Sequence, residues 1–117
     1  MNISRGEVSE FRYSSAMAIT KDSFLDIGTA NNENIVVRIT DVKVSCGGTA
    51  RTIKFYSEYG TAGKPLEFDL PASSVNGLEW ELPPRFLVVG TTGETRNMVA
   101  SASGTGVKYT ISGYTEK

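Results

Sequence analysis

The sequence predicts an all-β fold: a single antiparallel β-sandwich, jelly-roll-like, built from eight to nine short strands. Three observations carry this. Apolar residues alternate with period two from one end to the other, and no stretch sustains helical spacing. Turn-forming clusters of Gly, Pro, Asn and Ser recur about every ten residues, as in sandwiches and barrels. The 117 residues include 12 Gly, 5 Phe, 5 Tyr and 1 Trp, a composition that leans towards strands and turns. A chain of this length forms one domain that buries roughly two-thirds of its unfolded surface. Residues 1–8 read as an N-terminal arm and residues 9–117 as the domain. No repeat, low-complexity segment or interdomain linker divides it.

The elements follow in order. A first strand is expected over Val8 to Thr20, with Phe11, Tyr13, Ser15 and Met17 on one face, and a short second one over Ser23 to Ile27, ended by Gly28. Thr29 to Asn34 is a polar turn. Ile35 to Ser45 is the clearest strand. Ile35, Val37 and Ile39 share one parity, but beyond Asp41 the apolar parity passes to Val42 and Val44. A parity shift inside one strand predicts a bulge near Asp41, or a corner between sheets. Arg51 to Tyr59 follows with Ile53 and Phe55 inward, then the loop Gly60 to Pro65. Leu66, Phe68 and Leu70 alternate with Glu67 and Asp69. After the loop Ala72 to Gly77, the residues Leu78, Trp80 and Leu82 alternate with Glu79 and Glu81, which places Trp80 in the core. Arg85 to Gly90 (RFLVVG) reads as a strand buried on both faces. Met98 to Ser103 and Val107 to Tyr114 complete the set, joined by Gly104-Thr105-Gly106 as a tight hairpin.

The chemistry available is narrow. Twelve basic and thirteen acidic residues give a net charge of −1, so no field of one sign would hold nucleic acid or an anionic membrane at range. Lys43, Arg51 and Lys54 could still gather on neighbouring strands. With no histidine and one cysteine, the usual Ser-His-Asp, Cys-His and zinc arrangements are ruled out, and Cys46 at a strand end reads as a structural thiol. The pairs Glu67/Asp69 and Glu79/Glu81 each share a strand face at a spacing of about 6.6 Å, close to that of inverting glycosidases. They alternate with large apolar residues, so they belong to the solvent face. The oxygen-rich loop Asp26 to Asn34 lacks the acidic spacing of a calcium loop, and Asn and Asp form turns unaided. The glycines precede no helix that could cradle phosphate. The reading is therefore of no catalytic residue, no cofactor and no metal. The N-terminal residues show no signal-peptide pattern and no window has the apolar length of a membrane span, which suggests synthesis in a cytoplasm.

Residues 85–114 carry a resemblance. RFLVVGT at Arg85 to Thr91, MVASAS at Met98 to Ser103 and VKYTISGY at Val107 to Tyr114 resemble the closing strands of small β-sandwich virion proteins of tailed bacteriophages. The resemblance implies a structural virion protein, a capsid decoration or head- or tail-associated subunit. Such a subunit would stabilise the particle as a homo-oligomer, with a trimer favoured, and would contact the major capsid protein or other virion proteins. Its location would be the virion, assembled in a host cytoplasm. The alternative is a carbohydrate- or receptor-binding sandwich. Under either, the residues proposed to meet a partner or neighbouring subunit are Tyr56, Tyr59, Ala100, Ala102 and Tyr114. Tyr56 lies out of phase with the core, Tyr59 ends its strand, and the small Ala100 and Ala102 call for something packed closely, either the second sheet or a neighbour.

Overall fold

The computed structural model describes residues 8–29, 35–57, 61–62, 65–88 and 95–116. Ten strands follow one another: β1 (Val8–Ala16), β2 (Lys21–Thr29), β3 (Ile35–Cys46), β4 (Arg51–Ser57), β5 (Thr61–Ala62), β6 (Leu66–Leu70), β7 (Val75–Glu79), β8 (Arg85–Val88), β9 (Thr95–Ala102) and β10 (Val107–Glu116). All strand pairs are antiparallel. One sheet has the order β1-β10-β3-β8-β5, with β7 also paired to β3, and the other has the order β2-β9-β4-β6. Counting β7 and β8 as one interrupted strand, this is the two-sheet Greek-key arrangement of a jelly roll. Of the arm expected at residues 1–8, residues 1–7 lie outside the described residues and Val8 already opens β1.

The core lies between the sheets and follows the alternation. Val37, Ile39, Val42, Val44, Ile53, Phe55, Phe86, Val88, Met98, Val107 and Ile111 are almost wholly buried. An aromatic group fills the centre: Phe55 meets Tyr109 at 5.4 Å and Phe24 at 5.8 Å between ring centroids, both edge-on, a favoured geometry for aromatic rings. The Phe55–Tyr109 contact joins the two sheets, and Phe24–Phe55 lies within one of them.

The parity shift of β3 is a bulge. Ser112 of β10 pairs with Asp41 and Gly113 with Ile39, so the register skips Thr40, and both apolar sets of β3 face inward. On the other edge of β3, β8 pairs with Ile35 to Arg38 and β7 with Asp41 to Ser45, so the break between β7 and β8 falls at the same level. Gly113 is buried there, and a Cβ on it would collide with the Arg38 carbonyl oxygen. Only glycine lets β10 pass the bulge at that distance.

Several expectations are corrected. Met98–Ser103 and Val107–Tyr114 form no hairpin: β9 and β10 lie in different sheets, and Gly104-Thr105-Gly106 carries the chain across the sandwich. Gly106 supplies a φ of +88° for that crossing, and Arg51 Nε donates to the Thr105 carbonyl at 3.0 Å across it. The first strand stops at Ala16, because Met17 is buried at the corner with its amide on the Val107 carbonyl at 2.8 Å. β2 runs on through Gly28, with register shifts along it, and β5 lies within the segment expected as a loop. β7 begins at Val75 and ends at Glu79; Trp80 is partly buried beyond it and Leu82 is 84% exposed. The alternation of Leu78, Trp80 and Leu82 therefore does not mark three core positions. β8 alternates instead of being buried on both faces, with Arg85 exposed and Phe86 and Val88 inside. Among the described residues, burial on both faces occurs in the middle of β9, where Met98, Val99 and Ala100 are all closed from solvent. It runs between β2 and β4, with Ser23 and Tyr56 flanking Val99 in register.

Candidate functional site

The partner residues expected from sequence fall into three groups. Ala100 and Ala102 are 0% and 8% exposed and belong to the core, so their small side chains answer to the second sheet and offer no surface to a neighbour. Tyr56 lies half-buried on β4, on the outer face of its sheet, since Ile53, Phe55 and Ser57 take the inner positions. Tyr59 lies outside the described residues. Tyr114 stands half-buried on the outer face of the other sheet, in register with Arg38 on one side and Glu10 on the other.

Tyr114 borders a groove of about 610 Å³ at the level of the bulge. Glu10 and Arg12 of β1, Thr40 at the bulge, and Ser112 and Tyr114 of β10 line it. Beside it, Arg38 Nε approaches Glu116 Oε1 at 3.5 Å. The groove sits at the β1 edge of the sheet, so its rim is backbone unpaired among the described residues together with an acidic and a basic side chain. Sequence reasoning named Tyr114 but missed Glu10 and Arg12. Their signal was present in the alternation of Glu10, Arg12 and Ser14 opposite Phe11 and Tyr13.

β1 is held in place from below. Tyr109 Oη donates to Asp22 Oδ2 at 2.9 Å, and Tyr13 Oη donates to the same oxygen at 3.4 Å. A carboxylate on β2 thus ties β1 and β10 to the opposite sheet. Burial, followed by the Asp22 carboxylate, pushes the Tyr109 phenol far above its ordinary range, so it stays a donor. Ser14 and Thr110 add a hydroxyl pair at 2.9 Å on the outer face.

The remaining candidates are scattered. Lys43 projects from the outer face of one sheet, whereas Arg51 and Lys54 belong to β4 in the other, so they form no common patch. Glu67, Asp69, Glu79 and Glu81 are exposed, and Asp69 accepts from Thr52 Oγ1 at 3.0 Å. Cys46 is buried at the end of β3, where its thiol donates to the Pro71 carbonyl at 3.1 Å and lies 3.5 Å from Ser74 Oγ. The Ser74 hydroxyl is the largest influence on this thiol and draws its pKa below the ordinary value. Asp26 to Thr29 continue β2, and the rest of the oxygen-rich loop lies outside the described residues.

No protein-family model matches the chain, and no curated protein matches it. Among solved structures, it is similar to a chain from the virus-like particle of extra small virus of the giant freshwater prawn Macrobrachium rosenbergii, determined by cryo-electron microscopy. The identity is 10% and the TM-score 0.41, over 100% of this chain and 83% of that one. Likeness at this level adds nothing to what the strand order itself establishes.

Proposed function

We propose that the chain is a non-enzymatic structural protein of a virus particle, a jelly-roll subunit that stabilises the particle by binding its surface or its head or tail assembly as a homo-oligomer. The observation that supports this best is the strand order, β1-β10-β3-β8 facing β2-β9-β4-β6. Jelly rolls of this kind serve as viral capsid domains and as lectins. Fold-level analogy supplies the class, and the residues on the surface supply the detail. The resemblance of residues 85–114 to virion proteins of tailed phages points to the narrower form, a decoration or head- or tail-associated subunit.

The test is proteomic and hydrodynamic. Gradient-purified particles from the producing cells should contain the chain at fixed stoichiometry, and the purified chain should associate with particles stripped of it. A chain absent from the particles and monomeric at high concentration overturns the proposal. Glycan-array binding lost on Tyr56→Ala would instead support the lectin reading, because Tyr56 is the described aromatic that stands half-exposed on the outer face of its sheet.

A further inference from the structure

β1 is a long edge strand. It runs in unbroken register with β10 from Val8 to Ala16, and among the described residues no strand pairs with its other side. It contains no proline and no bulge, two of the devices that blunt such an edge, and the charges it carries at Glu10 and Arg12 are of opposite sign. The phase of its hydrogen bonds follows from the Met17 amide, which donates to Val107. Antiparallel strands alternate bonded and non-bonded pairs, so Ser15, Tyr13, Phe11 and Ser9 turn their backbone groups towards β10. Ser14, Arg12, Glu10 and Val8 direct theirs to the open edge. The side chains of Glu10 and Arg12 stand exposed on the outer face, two residues apart.

We infer that β1 pairs antiparallel with β1 of a second copy of this chain, in the register that sets Glu10 opposite the partner's Arg12. Only even-numbered residues can bond across the open edge, which limits the registers to steps of two. With Glu10 opposite the partner's Arg12, a two-fold axis passes through Phe11 and the charge pair occurs twice. A slip of two residues one way sets Glu10 against the partner's Glu10, and the other way sets Arg12 against the partner's Arg12. A further slip leaves neither charge opposite its counterpart. Like charges directly opposite destabilise a ladder and unlike charges support it, so side-chain chemistry selects one register.

The chosen register joins Val8 to Ser14 of each copy and brings the half-buried Phe11 against the partner's Phe11 on the inner face. Cross-strand aromatic pairs are a stabilising unit of sheets. The outer row then reads Arg38, Tyr114 and Glu10, followed by the partner's Arg12, so the groove at Tyr114 opens onto the junction. Such pairing is isologous and closes after two copies, in place of the trimer expected from the virion resemblance. The inference deepens the homo-oligomer part of the proposed function and rests on that part alone.

The test uses the full chain in native mass spectrometry and sedimentation velocity, with circular dichroism to establish folding. Wild type should be a dimer. Glu10→Arg and Arg12→Glu each place two like-charge pairs across the axis and should weaken the dimer by about tenfold or more. The double variant E10R/R12E restores both pairs in reverse and should recover wild-type affinity. Ser14→Pro, which removes an outward N–H, should also dissociate the dimer, with the β10 ladder kept. A trimer, a dimer insensitive to the single reversals, or folded single variants that dissociate without rescue by the double variant would overturn the inference. A monomer that still binds particles overturns the edge pairing and leaves the virion role standing, whereas a charge-sensitive dimer absent from particles does the reverse.

Discussion

Among the edge strands of the described residues, β1 and β6 border opposite sheets and are protected in opposite ways. β6 spans Leu66 to Leu70, with Pro65 before it and Pro71 after it, and its exposed side chains are Glu67 and Asp69. Each of the three antiparallel registers that bring Glu67 or Asp69 of one copy opposite either residue of another sets acid against acid. β1 is nearly twice as long, carries no proline, and alternates Glu10 with Arg12. Two edges of one sandwich thus differ in whether self-pairing is refused or directed. The cause lies in the sign of two side chains and the presence of two prolines.

The largest way to break that contrast is to remove the support of β1. Gly113→Ala forces a Cβ onto the Arg38 carbonyl at the bulge and should cost about 3 kcal/mol in urea unfolding, because the obstruction is backbone. A loss near that of an ordinary surface glycine would show that β10 can shift away from β3. Next comes the tie between the sheets. Tyr109→Phe removes the donor to Asp22 and should cost about 1 kcal/mol, with the ring packing kept. Its pH dependence gives a second readout. The folded-state pKa of Tyr109 lies above the unfolded value of about 10, so its contribution is complete below that pH and is lost as pH rises beyond it. Wild type should therefore lose stability above pH ~10 more steeply than Tyr109→Phe; equal slopes would rule out the linkage. The smallest effect is expected at the guarded edge. Glu67→Arg gives β6 the alternating charge pattern of β1 and should produce weak self-association, a few-fold at most, in sedimentation velocity. No change would mean that Pro65 and Pro71 are sufficient guards.

Much of the sandwich is legible in the alternation, and its failures have a shared cause. Val42 and Val44 reveal the bulge because a slip of one residue would otherwise expose them, and burial leaves a written trace in side-chain polarity. Ala100 and Ala102 leave a trace too, but small residues under a second sheet read the same as small residues under a neighbour. Gly104-Thr105-Gly106 suits a hairpin or a crossing equally well, because glycine permits both. Leu82 follows the parity of Leu78 and Trp80, yet the chain has left the ladder by Glu79, and parity means nothing without a ladder. Of the candidate interface, Tyr114 was visible as a strand residue, whereas the pairing of Glu10 with Arg12 needed the knowledge that β1 is an edge.

By itself the sequence determined the all-β class, the inner face of most strands, the level of the bulge and the exposure of the carboxylate pairs. Each depends on period-two polarity along one strand, which is local information. The tertiary structure decided which strands share a sheet, that β9 and β10 part company, that Ala100 and Ala102 face inward, and that β1 ends the strand order of the described residues while β10 lies inside it. Those are choices among pairings of similar local energy, settled by how the two apolar faces close over Phe24, Phe55 and Tyr109.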